Sequence, residues 1–225
     1  MSEKDWNKEK KKGAAPSGLF WTIEERAFGM GDEKIAMHRD GDLRLAILSI
    51  NASPYEKNSH VIEFVPQGSP EESLKILQGL QTITAHNGLV LLVRNALSLA
   101  AEAQADGVIF TDADKVAEAR KVIGDTPIIA AHYDNVDDVS DDVDLAIFGE
   151  ALTAGDIAKH KPMDKHTVMS KTSVTNENCG SFVLAGCDFL NASHYINTHK
   201  DGAAQAIVNM LYAIDLALDV PAQKH

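Results

Sequence analysis

The chain has 225 residues, enough to bury one substantial core, and is 44% hydrophobic and 24% charged, the balance of a globular protein. A formal net charge of -12 argues against a nucleic-acid surface, which needs clustered Lys and Arg, though a local basic pocket is compatible with it. No apolar run approaches the ~20 residues that cross a bilayer, and the lysine-rich start has neither a secretory apolar segment nor the arginines of an organelle presequence, so a soluble, cytoplasmic protein is expected. Cys179 and Cys187 lie eight apart, without metal-ligand or CxxC spacing, and read as reduced thiols.

Residues 1–18 carry Lys8, Lys10, Lys11 and Lys12 with almost no apolar side chain besides Trp6, and are expected to be a disordered basic tail. The other reading is a basic arm for an acidic partner. Residues 19–42, beginning at Leu19-Phe20-Trp21, read as an N-terminal extension. Lys34–His38 and Leu43–Ile50 read as two strands around an Asp40-Gly41 turn, the second being the first main strand. Residues 43–220 are then the principal domain.

From there strands and helices alternate. His60–Phe64 is a strand, and Ser69-Pro70-Glu71-Glu72 opens a helix to about His86, with serine at N-cap, proline at N1 and acids facing the positive helix end. Leu89–Val93 is a continuous apolar strand, as expected where both faces are buried. An Ala-rich helix from Leu97, the strand Gly107–Phe110, an acidic loop through Asp112 and Asp114, and another helix follow. Thr126–Ala131 and Asp144–Gly149 are strands, and the Asp- and Val-rich run between them reads as an outer helix with its valines turned inward. A helix near Leu152–His160, a strand His166–Ser170, a helix opened by Asn176-Glu177-Asn178 and a strand Phe189–Ala192 complete the pattern. A terminal helix, Asp201–Leu218, places Ile207, Met210, Leu211, Ile214 and Leu218 on one face.

About eight buried strands separated by helices predict an α/β fold, a (β/α)8 TIM barrel somewhat below the usual ~250 residues. Its first helix is expected to be shortened, because Asn51–Asn58 leaves little room. An open doubly wound sheet is the alternative, but no Gly-rich phosphate loop follows the first strand.

Four short motifs in order carry a resemblance. Ala105-Asp106-Gly107-Val108, Asp144-Leu145-Ala146-Ile147-Phe148-Gly149, Val174-Thr175-Asn176-Glu177-Asn178 and Ala185-Gly186-Cys187-Asp188 resemble segments of the thiamine phosphate synthases and the related thiazole tautomerases. The resemblance spans about His60 to Ile214. It implies a barrel that joins a pyrimidine pyrophosphate to thiazole phosphate in thiamine biosynthesis, a transferase reaction in which Mg2+ and basic residues stabilise departing pyrophosphate.

Position by position, the charge-handling groups differ. The family's Asn-Asp-Arg after strand three matches Arg94-Asn95-Ala96, so Asn95 replaces a metal-binding carboxylate. The second metal-binding Asp matches Asp114, and Asp112 lies beside it; Asp112, Asp114 and Asn95 could hold Mg2+ weakly, or Asp112 could simply cap the following helix. After strand two, Glu63-Phe64-Val65-Pro66-Gln67 carries no cation. The Ser of the family's Gly-x-Ser becomes His132, a candidate acid or base or a structural histidine. Thr172-Ser173 replace a glycine pair whose amides would approach phosphate, and His194 stands where a phosphate-contacting Ser is expected. Lys171, Thr172, Ser173, His194 and Arg94 remain candidates for an altered anion site. His194 and His199 have no third metal ligand at suitable spacing.

Two functional expectations follow. One is an enzyme acting on a small phosphorylated heterocycle through His132 and Lys171, with Mg2+ as the only cofactor in view. The other is a degenerate, non-catalytic barrel, a pseudoenzyme that binds a ligand or a protein partner. A homo-oligomer is compatible with either.

Overall fold

A computed structural model of the chain describes residues 18–28, 45–50, 60–150, 152–160, 165–171 and 173–219. Eight strands run in chain order: β1 Gly18–Glu24, β2 Val61–Val65, β3 Val90–Arg94, β4 Gly107–Phe110, β5 Ile128–Tyr133, β6 Leu145–Phe148, β7 His166–Met169 and β8 Phe189–Asn191. Each pairs in parallel with the next, and β1 also pairs with β8, so the sheet closes into the expected (β/α)8 barrel. Around it pack α1 Pro70–His86, α2 Leu97–Glu102, α3 Val116–Ile123, α4 Ala154–His160, α5 Cys179–Leu184, α6 Ser193–Thr198 and α7 Ala203–Asp219.

Because strand side chains alternate, the strands feed two cores. Phe20, Val61, Leu92, Ile109, Ala130, Val168 and Phe189 form one cluster that fills the barrel. The opposite phase, including Trp21, Phe64, Leu91, Val93 and Phe148, packs under the helices with Leu77, Ile207, Met210 and Ile214. Both cysteines are buried in this outer layer and form no disulfide with each other. Ser69 caps α1, as its sequence predicts, and forms a reciprocal box with Glu72.

Three expectations are corrected. Residues 45–50 are helical, not a strand: Ala46, Ile47 and Ile50 are buried while Leu45 and Leu48 are exposed, a helical spacing within an apolar run that a strand reading also fits. The first barrel strand is Gly18–Glu24, so the barrel begins inside the supposed N-terminal extension. Helical structure therefore does stand between the first two strands; residues 1–17, 29–44 and 51–59, where the tail and the Asp-Gly turn were expected, lie outside the described residues. The acidic run after β5 forms only a short 3-10 turn, Val136–Asp138. Adjacent aspartates and β-branched valines disfavour an α-helix there, although Val143 is buried and Val136 and Val139 pack against the core.

One device recurs at the N-terminal end of the barrel. The residue preceding each even-numbered strand accepts a hydrogen bond from the second backbone N–H of the strand before it. Leu19 N–H donates to His60 Nδ1 at 3.0 Å, and Leu91, Ile129 and Thr167 donate to Asp106, Asp144 and Asp188, each at 2.8 Å. These four clamps fix strand ends whose amides would otherwise lack partners. Gly107, beside one clamp, is required by close approach: a Cβ there would lie 2.0 Å from the Ile128 carbonyl oxygen.

Candidate functional site at the barrel mouth

The strands that fill the barrel with hydrophobic side chains change character at their C-terminal ends. Two residues beyond Phe20, Val61, Leu92, Ile109, Ala130, Ile147, Val168 and Phe189 stand Thr22, Glu63, Arg94, Thr111, His132, Gly149, Ser170 and Asn191. All eight positions on the inward phase are polar or glycine. Ligands of this architecture bind at that end.

Glu63 is the centre of the layer and only 1% exposed. Its carboxylate accepts from Arg94 Nε at 2.6 Å and Nη2 at 2.7 Å, a two-pronged pair, and from the Thr22 hydroxyl at 2.7 Å. A buried carboxylate left unpaired would lose several kcal/mol of solvation, and this geometry compensates it. The bonding continues around the wall. Asn191 Nδ2 donates to Thr22 Oγ1 at 3.3 Å and to Ser170 Oγ at 3.2 Å. Ser193, at the start of α6, donates its hydroxyl and its N–H to Asn191 Oδ1, and its hydroxyl oxygen accepts the Thr22 N–H at 2.7 Å.

His132 belongs to the same layer. Its Nε2 is enclosed and has no hydrogen-bond partner. Burial lowers its proton affinity; the Glu63 charge opposes that shift and the Arg94 charge adds to it. The imidazole is therefore neutral at pH 7 and lies within electrostatic reach of the Glu63–Arg94 pair.

A second buried acid supports the rim. Glu25 follows β1, is 2% exposed, and accepts from the amides of Gln67 and Gly68 and from the Ser73 hydroxyl. Burial alone would raise its pKa, but these bonds outweigh it and the net shift is downward. Gly68 allows the approach, since a Cβ would lie 2.5 Å from Glu25 Oε1. The carboxylate thus ties the loop after β1 to the start of α1.

Of the other expected site residues, Asn95 reaches this layer through Thr111, and the rest of those described bond elsewhere or are exposed. Both polar atoms of the Asn95 side chain are engaged by Thr111: Oδ1 accepts its N–H at 3.0 Å and Nδ2 donates to its hydroxyl at 2.9 Å. Asp112 accepts the Asp114 N–H at 3.1 Å and so caps the 3-10 turn Ala113–Lys115, while Asp114 is exposed. Among the described residues no three His, Cys, Asp or Glu side chains gather as metal ligands. Lys171 Nζ donates to the Glu150 carbonyl at 3.0 Å. Ser173 and His194 are exposed, and Thr172 lies outside the described residues. His199 packs edge-on against Tyr195 at 5.1 Å and accepts the Asp201 N–H at 3.2 Å, a local structural role.

Sequence reasoning missed Glu63, Thr22, Ser170, Asn191 and Ser193 as site residues. A signal for most of them was present: each of the first four lies two residues past an interior apolar side chain, at the end of a strand. The ion pair itself has no sequence signature, because Glu63 and Arg94 are 31 residues apart.

No protein-family model matches the sequence, and no curated protein does. Solved structures do resemble the fold. A thiamine phosphate pyrophosphorylase from Pyrococcus furiosus superposes with a TM-score of 0.69 at 13% identity, over 89% of this chain and 96% of that one. A structure described as native KDPGal gives 0.66 at 12% identity, over 93% and 98% of the two chains. A mutant tryptophan synthase alpha-subunit from Pyrococcus furiosus gives 0.59 at 10% identity, over 88% and 97%. Likeness at these identities is a likeness of fold, and it sets the chain among the TIM-barrel proteins.

Proposed function

We propose that this chain is a divergent relative of thiamine phosphate synthase whose barrel mouth binds a small hydrogen-bonding molecule, and that it does not join a pyrimidine pyrophosphate to thiazole phosphate. The observation that carries the reading is the two-pronged Glu63–Arg94 pair. Departing pyrophosphate develops negative charge that cations must stabilise in place. Here the cation in the polar layer is already neutralised by a buried carboxylate.

Two of the three residues expected to hold Mg2+ have an oxygen engaged elsewhere, and the third, Asp114, is exposed. Mg2+ demands near-octahedral oxygen ligation, whereas the Asn95 oxygen accepts a backbone N–H and the Asp112 carboxylate caps a turn. No step of the proposed function runs through a metal. What the mouth retains is a rigid wall of hydroxyl, amide, guanidinium and imidazole groups, which suits recognition of one small polar molecule.

Calorimetric titration of magnesium pyrophosphate into the protein and into Glu63→Gln tests the reading. The unaltered protein is expected to give no saturable heat at millimolar ligand. Glu63→Gln frees the Arg94 charge and should tighten pyrophosphate binding by roughly tenfold, the equivalent of about 1.4 kcal/mol. Micromolar binding to the unaltered protein, or formation of thiamine phosphate by it, would overturn the proposal.

A further inference from the structure

The hydrogen atoms of the polar layer leave unmatched donors on Arg94, His132 and Ser170, and a further one on the exposed Thr111 hydroxyl, which accepts from Asn95. Asn191 Nδ2 donates both of its hydrogens, one to Thr22 and one to Ser170. Thr22 passes its hydroxyl hydrogen to Glu63, and Ser193 passes its own to Asn191. Ser170 Oγ therefore accepts, and its own hydrogen has no acceptor among the described residues. Arg94 donates from Nε and Nη2 to Glu63, which leaves three guanidinium hydrogens, two on Nη1 and one on Nη2, without an acceptor among the described residues. Its side chain is 29% exposed, so the guanidinium is reachable. His132 adds one further N–H, with Nε2 enclosed and unpartnered.

A buried bare nitrogen loses less than a buried N–H that finds no acceptor. That places the hydrogen of the neutral imidazole on Nδ1. Arg94 on β3, His132 on β5 and Ser170 beyond β7 then all present donors, and Glu63 already accepts three hydrogen bonds, so about one of its acceptor positions is left. The complementary ligand is rich in acceptors. The Glu63–Arg94 pair is electrically balanced, so a dianion would meet no net positive charge. A single negative charge, by contrast, can be matched by one proton taken up on His132.

Building on the reading of the mouth as a small-ligand site, we infer that it takes a small monocarboxylate, held by Arg94 Nη1, Ser170 Oγ and the His132 imidazole. A carboxylate offers acceptor positions on two oxygens, enough for donors arriving from three sides. Its charge beside His132 favours the imidazolium, so binding and proton uptake are coupled.

The test is a nuclear magnetic resonance titration of histidine-15N-labelled protein with sodium acetate, with sodium chloride matched for ionic strength. The His132 ring signals are assigned by their loss in His132→Gln. Millimolar acetate should shift these signals saturably and move the His132 titration midpoint upward. Ser170→Ala, which keeps the charged pair intact, should weaken the acetate effect by roughly three- to tenfold, the scale of one lost hydrogen bond. Unchanged His132 signals in acetate, or a shift that chloride reproduces or that Ser170→Ala leaves intact, would overturn the carboxylate assignment. A response to glycerol with silence to acetate would overturn that assignment alone, leaving a small-ligand mouth. Saturation of the same signals by pyrophosphate would overturn the small-ligand reading with it.

Discussion

Glu63 and Arg94 dominate the chemistry of the mouth because each is tolerable in its place only with the other. Glu63 is almost fully enclosed, and Arg94 meets it through two parallel N–H bonds. Removing one partner from such a pair strands a charge, whereas removing both leaves none. Arg94→Ala should therefore lower unfolding stability by about 3–5 kcal/mol in urea melts. The double variant Glu63→Gln, Arg94→Gln should recover a large part of that loss. A double variant no more stable than Arg94→Ala would mean that packing, not charge, sets the effect.

His60 makes a separate, pH-dependent prediction. It must be neutral to accept the Leu19 N–H, and burial lowers its pKa from 6.5 to about 4. Between those two values the unfolded chain binds a proton that the folded chain excludes. Stability is thus complete above pH 6.5 and falls as the pH drops toward 4, by about 3 kcal/mol for a difference of this size. Glu25, whose pKa is depressed, adds a further loss below its ordinary value of 4.5. His60→Asn keeps an acceptor that does not titrate, and it should flatten the dependence between pH 6.5 and 4 in thermal melts. An unchanged slope in that variant would assign the acid sensitivity to other groups.

At the level of elements, the motifs that carried the family resemblance turn out to hold the barrel together. Asp106, Asp144 and Asp188 each sit in one of them, and each clamps a strand end at the N-terminal face. Asn178, in another, accepts the Thr175 N–H and donates to the Ser173 carbonyl, ordering the turn into α5. In this architecture such residues speak for stability, and the opposite face for chemistry. That division explains why the fold was legible in the sequence while the site was less so. Strand β1 was read as an extension and residues 45–50 as a strand because short apolar runs fit both periods. The mouth residues follow a visible inward phase, but which of them bond depends on a closure that brings β2 beside β3 and β8 beside β1. Gly107 gives this level its own prediction. Gly107→Ala drives a Cβ into the Ile128 carbonyl, where no side chain can yield. It should cost about 3 kcal/mol or more, at the upper end for overpacking, whereas Gly79→Ala, in open space on α1, should stabilise slightly. Equal melting temperatures for the two variants would contradict the close-approach account.

For the whole molecule, the closed sheet and its two cores are built from apolar side chains outside the polar layer, so the chemistry at the open end can differ without a different fold. Fold likeness to several TIM-barrel enzymes, at 13% identity or less for those compared, is consistent with that independence. Charge points the same way. The chain is acidic overall, its inward-facing arginine is paired, and Lys171 is bound to a carbonyl. The central claim is that the polyanion chemistry of the resembling family has no place to act. Thermal unfolding in Mg2+, pyrophosphate and thiazole phosphate, alone and combined, tests it most directly, because a ligand that binds only the folded state raises the midpoint as its concentration exceeds Kd. The account predicts an unmoved midpoint at millimolar concentrations of each. A rise that grows with thiazole phosphate or magnesium pyrophosphate concentration would contradict it.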